Sequence, residues 1–493
     1  LDANTTASNN TAVGHGALGA ATTGTDNTAV GASALITNAT SNNNTAVGAN
    51  ALNAATGASN IGIGKNAGTL ISTGANNTIV GTIAADALTT GGNHTAVGYG
   101  ALGAVTTASS LTGIGYAAGN ANTSGTANTY VGHAAGTLVT TGSDNVAIGH
   151  QALTAATTAA ASIAIGPDAL MAVTTGSSNM GIGHNAGAAI TTGVDNIMIG
   201  LNAGDAITTE SYSIGIGNQA LSTYSGGNGY NLAVGQGAMT AATTGQQNVC
   251  LGAYAGDAIT TGNFNNIVGV NTGGAVTTAD NNTAMGHNAL GAGNTGSNNT
   301  CFGAYTGDNI TSGTYNICMG ISADPSAVDS NFQIVIGTAI AGGEDYQFTF
   351  GTTNSIVQNE FDTDGAWTRT SDRRKKRNIK EDKLGLDFIN DLKTVTYQWR
   401  PSYEYPKEWN EYSEKSDVNT DAVMHGMIAQ DIKEALDKAD CDTFTGWKER
   451  RDGSQVMSRE MFVLPLIKAV QELSKENDEL RKRLDALEGN PNL

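Results

Sequence analysis

The stretch "SDRRKKRNI", residues 371–379, brings a hydroxyl and several amines into one short run. Ser371 stands at its head and Lys376 lies five residues on. A serine hydroxyl is a weak nucleophile until a base takes its proton, and a lysine can be that base only when neutral. Arg373, Arg374, Lys375 and Arg377 crowd Lys376 along the chain. Neighbouring cations and burial both favour the neutral amine. Spacing sets a second condition. On a helix of about 3.6 residues per turn, positions five apart diverge by roughly 140°, whereas helical neighbours are three or four apart. Ser371 is therefore expected on an extended lead-in and Lys376 near the turn that follows. Lys375 is the off-by-one alternative. The plainer reading is a solvated basic stretch resting against an acidic region.

Other residues with chemical potential are less organised. Cys250, Cys301, Cys318 and Cys441 have neither zinc-ligand spacing nor histidine partners, so they are expected to be small buried thiols made in a reducing compartment. His15, His94, His133, His150, His184 and His287 do not cluster and are expected in loops or at the surface. "DTDG" at Asp362–Gly365 starts like a calcium loop but lacks the later ligands and the closing glutamate, so it reads as a turn. No metal and no cofactor is expected.

Charge divides the chain in two. Before Arg369, Lys65 is the one basic residue against 18 acidic ones, net −17; from Arg369 on, 23 basic residues meet 25 acidic ones, net −2. The acidic part lacks the cations that phosphate binding needs, and it disfavours anionic membrane surfaces. No apolar run of about 18 residues exists to span a bilayer. The chain opens on Leu1 without a basic-then-apolar leader, and an upstream continuation is expected.

The elements that must carry these residues begin with a repeat. "NTAVG" at Asn10–Gly14 recurs at Asn27–Gly31 and Asn44–Gly48, then as "NIGIG" at Asn60–Gly64. The closing glycine falls at 20 positions from Gly14 to Gly337, with one interval of 16, one of 18 and the rest 17. Such regularity marks a solenoid. Within the box, apolar residues such as Ile163 and Ile165 flank a small one such as Ala12, Ala147 or Cys250, the period of a short strand. Seven residues past the glycine stands a second apolar column with Ile71, Val105, Val139, Ile190, Ile207 and Ile259, followed by "TTG" or a variant. This reads as a second strand per rung. Glycine and asparagine are expected at the turns because they tolerate positive φ. One rung cannot bury its apolar face alone; stacked rungs can. The apolar flanks, Ile165 and Ile199 among them, are expected inward, and the small column is expected to meet a partner chain. At about 4.8 Å per rung, twenty repeats give a shaft of roughly 95 Å.

After Gly337 the period breaks. "EDYQFTFGTTNSIVQNEFDTDGAWTRT" alternates and reads as two or three strands. Beyond Ser371, "DKLGLDFINDLK" reads as a helix leading into the strand "TVTYQW", and "MHGMIAQDIKEAL" as a strand or turn entering a second helix. The terminal segment "LPLIKAVQELSKENDELRKRLDALE" is an amphipathic helix. Leu466, Leu473, Leu480 and Leu487 take d positions and Val470, Asn477 and Leu484 a positions, a short coiled-coil seam with one polar register-setting residue.

Two resemblances follow from these motifs. The recurring "NTAVG" box resembles the head domains of trimeric adhesins, which implies a left-handed parallel β-roll with three chains around one axis. "SDRRKKRNI", then "GMIAQDI", then a terminal helix with "LIKAVQEL" resembles the endosialidase-type intramolecular chaperone domains that end phage tail fibres and tailspikes. That resemblance implies a domain that templates a trimer and then cuts itself off. It gives Ser371 as nucleophile, Lys376 as its partner, and the Thr370–Ser371 bond as the cleavage site. The expected chain is mostly β: a trimeric β-roll shaft over 1–340, a β stalk over 341–370, and an α+β auto-processing chaperone over 371–493 ending in a coiled-coil helix. The expected function is that of a homotrimeric tail fibre in a virion. It would be assembled in the host cytoplasm, joined upstream to other tail components, and would bind a receptor on the bacterial surface, a glycan or an outer-membrane component. A bacterial surface adhesin and a tailspike enzyme that degrades host polysaccharide are the alternatives. Against the enzyme, neither a paired acidic motif nor an aromatic sugar platform stands out in the roll.

Overall fold

The computed structural model describes residues 2–360 apart from 294 and 354, and residues 373–489 apart from 408, 410, 411, 413, 415–419, 451 and 452. It divides into two compact units, Leu1–Arg369 and Thr370–Leu493.

In the first unit each box forms a three-residue strand, from Thr11–Val13 through Ile317–Met319. Each pairs parallel and in register with the box one repeat on: Thr11 with Thr28, Ile163 with Met180, Thr300 with Ile317. One repeat is therefore one rung of a parallel β-solenoid. The ladder continues through Ile334–Thr338 into Gln347–Thr352, where Phe348 pairs with Ile334 and Gly351 with Gly337. Ser355–Glu360 then folds back antiparallel on that last rung. All of these strands belong to one 22-stranded sheet.

The faces of the strand are the reverse of the sequence expectation. The small middle residue points into the roll: Ala29, Ala164, Cys250, Cys301 and Cys318 are fully buried. The apolar flanks point out. Val13, Ile63, Ile148, Phe302 and Met319 are exposed, and Ile165 and Ile199 are half-buried. The reason is room. The far wall of each rung already sends large side chains inward, Leu18, Leu35 and Leu170 in one column and Ile71, Ile190 and Ile207 in another. Little volume is left for the box residue. Volumes trade between columns where a box residue is large. The buried Tyr130 ring fills the space left by Gly119 and Gly136, where an added Cβ would approach it to 2.4 and 2.2 Å.

Among the described residues the expected second strand after the Ile71 to Ile259 column does not form; outside the box ladder, paired strands of the roll occur at its end, where Ala323–Asp324 meets Ile340–Ala341. In the far wall Thr22, Thr23 and Gly24 all donate their amides to the Ala39 carbonyl, at 2.9, 3.2 and 3.2 Å. Bonds that converge on one acceptor hold rung to rung but make no regular ladder.

The box asparagine also has a different task from the one expected. The residue before it takes the positive φ, 58° at Asp26 and 61° at Asp144. The asparagine itself is buried and bonds along the axis. Asn145 Oδ1 accepts the Ser162 amide at 3.0 Å, and its Nδ2 donates to the Ala159 carbonyl at 2.9 Å. The box glycine does need its freedom. Gly149 has φ 136°, and a Cβ there would lie 2.5 Å from the Gly166 carbonyl oxygen of the next rung.

His94 corrects a further expectation. It occupies the asparagine position and is buried, not at the surface. Its Nε2 lies 2.9 Å from the Ala108 carbonyl and its Nδ1 accepts the Leu111 amide at 3.2 Å. Those partners require a neutral ring with the proton on Nε2, and burial pushes its pKa down.

Candidate auto-processing site

Thr370 and Ser371 lie outside the described residues, so the expected cleavage bond is not placed. The described chain resumes with a 3-10 turn, Arg373–Lys375. Lys376 follows that turn and donates its amide to the Arg373 carbonyl at 3.1 Å. Residues 373–380 are all exposed. Packing within the single chain therefore does not bury Lys376, and burial, one of the two influences invoked for a neutral amine, is not supplied by this chain alone.

The segment after it is pinned from a distance. Glu381 pairs with Lys468, whose ammonium holds the carboxyl below the usual carboxylate range. Lys468 belongs to α3 (Val463–Glu488), which also packs on α1 (Leu386–Asp391). Glu472 of α3 accepts the Leu386 amide through Oε2 at 2.7 Å, satisfying a donor at the start of α1. Gly385 makes room for this contact, since a Cβ there would lie 2.1 Å from Glu472 Oε2. The short core beneath consists of Leu384, Phe388, Ile432, Ala435, Leu436 and Phe462, with Ile432, Ala435 and Leu436 on α2 (Ala429–Lys438). Two small antiparallel pairs complete the unit, Val395–Tyr397 with Met424–Gly426 and Trp447–Glu449 with Gln455–Met457. Helix, strand, strand and helix fall where the sequence places them.

Two apolar surfaces are left open within the described chain. On α3, Leu466, Val470, Leu473, Leu480, Leu484 and Leu487 are all exposed, while Pro465 and Ala469 are buried. The a and d seam is thus not consumed by the helix's own unit. On the roll, the outward flank columns form the second surface. The four cysteines are free thiols; three are buried and Cys441 is partly so.

Residues 371–440 match the family model for the chaperone of endosialidase. The chaperone match opens on Ser371 and takes in Lys376, α1 and α2, ending before α3. No curated protein and no solved structure matches the chain. Among the described residues no group of three or more His, Cys, Asp or Glu could hold a metal ion, and no helix is long and apolar enough to cross a membrane.

Proposed function

We propose that this chain is a homotrimeric tail fibre or tailspike segment whose chaperone segment aligns three copies and then severs itself before Ser371. The observation that carries the reading is the chaperone match beginning on Ser371 with a lysine five residues on. The open seam on α3 and the outward apolar columns of the roll support three-chain assembly. Both present apolar side chains in columns that further copies of this chain, held in register, would cover.

The proposed reaction needs no outside reagent but water. Ser371 Oγ gives its proton to the Lys376 amine and bonds to the Thr370 carbonyl carbon. The Thr370–Ser371 C–N bond breaks, and the freed Ser371 nitrogen takes the proton from Lys376. The resulting ester is hydrolysed by water, leaving a Thr370 carboxyl end and a free Ser371 hydroxyl.

Mass spectrometry of the expressed full-length protein tests this. Fragments 1–370 and 371–493 are expected from the wild type. Ser371→Ala and Lys376→Ala should leave the chain whole, and Lys375→Ala should still cut. A wild-type trimer that stays full length under folding conditions overturns the protease assignment and leaves a chaperone that does not cut.

A further inference from the structure

The residue just before each box asparagine holds a left-handed backbone conformation in every rung, and its side chain identity changes along the roll. From Asn9 to Asp195 the column is Asn, Asp, Ser or Ala, with φ between 53° and 63°. From Tyr212 onward it becomes Tyr212, Tyr230, Gln247, Phe264, Asn281, Asn298, Tyr315, Phe332 and Tyr346, with φ still between 55° and 63°. Asparagine and aspartate tolerate this region, whereas a bulky side chain there is an outlier that costs stability. The aromatic ones are also all exposed, from Phe332 at 40% to Tyr230 at 54%. Strained, solvent-facing rings in a column that elsewhere uses asparagine point to a binding role. The sequence singles out no aromatic platform, whereas the structure aligns these rings in one exposed column.

Their spacing shapes the site. Where aromatic rungs are adjacent, rings stack and cover one another: Tyr212 on Tyr230 at 5.0 Å, Tyr315 on Phe332 at 4.8 Å, Phe332 on Tyr346 at 4.9 Å. Between Tyr230 and Phe264 the stack skips one rung, occupied by the exposed Gln247. Two rungs at about 4.8 Å separate those rings by roughly 9.6 Å. Neither ring has a stacked aromatic partner on the side that faces the other, and Gln247 stands between them in the same column.

We propose that Tyr230 and Phe264 sandwich one pyranose ring of a neutral glycan, with the Gln247 amide bonding its hydroxyls. Sugar C–H groups are weakly positive and meet the negative face of an aromatic ring favourably. Charge selects the class. Lys65 is the one basic residue before Arg369, so the roll has no cation near the slot for a sialic, uronic or sulfated sugar, and its acidic surplus repels them. A protein partner of ordinary affinity needs about 800 Å² per side, which a track one residue wide does not offer. The inference rests on the reading of the chain as a surface-binding fibre.

The test is an array of neutral hexose and N-acetylhexosamine oligosaccharides beside sialylated and sulfated ones, probed with the assembled wild type and three variants. Wild type should bind neutral glycans only. The pair Tyr230→Asn and Phe264→Asn installs the residue that the same column uses at Asn281 and Asn298; it should fold and assemble normally and bind about tenfold more weakly or worse. Gln247→Tyr completes the stack and should also abolish binding, although it adds an aromatic ring. Tyr315→Asn should bind as wild type does. Retained binding in Gln247→Tyr, loss of assembly in the double variant, or binding confined to anionic glycans each overturns the slot. Wild type that is trimeric and cut but binds no neutral glycan sinks this inference alone; wild type that is neither trimeric nor cut sinks the fibre reading as well.

Discussion

Two titratable residues, His94 buried and Asp324 half-buried, give the roll opposite responses to pH. His94 stands where other rungs have asparagine, and burial pushes its pKa down. Above about pH 6.5 the ring is neutral folded or unfolded, so its contribution is at its full value there. As pH falls below that value the unfolded chain takes the proton first, and stability is lost until the lower folded pKa is passed. His94→Asn, which restores the column's usual amide, should therefore shrink the drop in Tm between pH 7 and pH 5. Asp324 runs the other way. Burial and the neighbouring Asp308 push its carboxyl up from 3.8 to about 6. The folded state keeps that proton longer than the unfolded chain, so the contribution is full below the unfolded value and is lost as pH rises through about 6. Asp324→Asn keeps the Oδ1 that accepts the Asp308 amide at 3.1 Å, and it should raise Tm at pH 7.5 but not at pH 4. Thermal melts of each variant across pH check both signs; a Tm shift of the wrong direction in either removes that residue from the account.

At the scale of one strand, the reversal of faces yields a paired experiment. Ala164 points into the roll and Ile165 outward. Ala164→Asp places a carboxylate in a core with no partner, a cost of several kcal/mol, and should prevent folding as judged by circular dichroism. Ile165→Asp should leave the rung intact and stop trimerisation, seen by light scattering; a normal trimer would show that the outward columns face water. This reversal marks the limit of what the sequence discloses. A strand of period two states that neighbours face apart, but not which face is the core. The far wall decides that, and half of it was hidden. Leu18 and Leu170 hold φ of 49° and 50°, a conformation that leucine seldom adopts, so the column they form did not read as an inward one. The repeat length, the Ile71 to Ile259 column and the three helices were legible because each rests on spacing alone. In the chaperone segment, Ser371 and Lys376 were legible as a motif. The Glu472 bond to Leu386 was not, since 86 residues separate its partners.

Across the whole molecule, regularity creates the problem that the proposed chaperone solves. The rungs are so alike that three chains displaced by one repeat lose little beyond contacts at the ends, so many registers compete. Long parallel ladders also form slowly and expose edges while they do. An alignment device at the C-terminus removes the choice, and α3 is suited to it. Its 26 residues extend about 39 Å, and its apolar seam is broken once, at Asn477, a residue type that fixes register in coiled coils. If that seam aligns the chains, Leu473→Asp with Leu480→Asp should yield misassembled, aggregating roll even though the roll sequence is untouched. The proposed cleavage would then separate assembly from persistence. Once residues 371–493 leave, the roll keeps its contacts but loses the device that found them, so its durability becomes a matter of unfolding rate and not of equilibrium. The expected result is an asymmetry in refolding. Uncut Ser371→Ala trimer, unfolded in guanidinium and diluted, should recover trimer in good yield. Cut wild-type 1–370, treated alike, should aggregate or return as chains of mixed register, although both show the same melting behaviour on first heating. Equal recovery of the two, measured by light scattering and native electrophoresis, would mean that the roll finds its register unaided, and that the chaperone segment serves some step other than alignment.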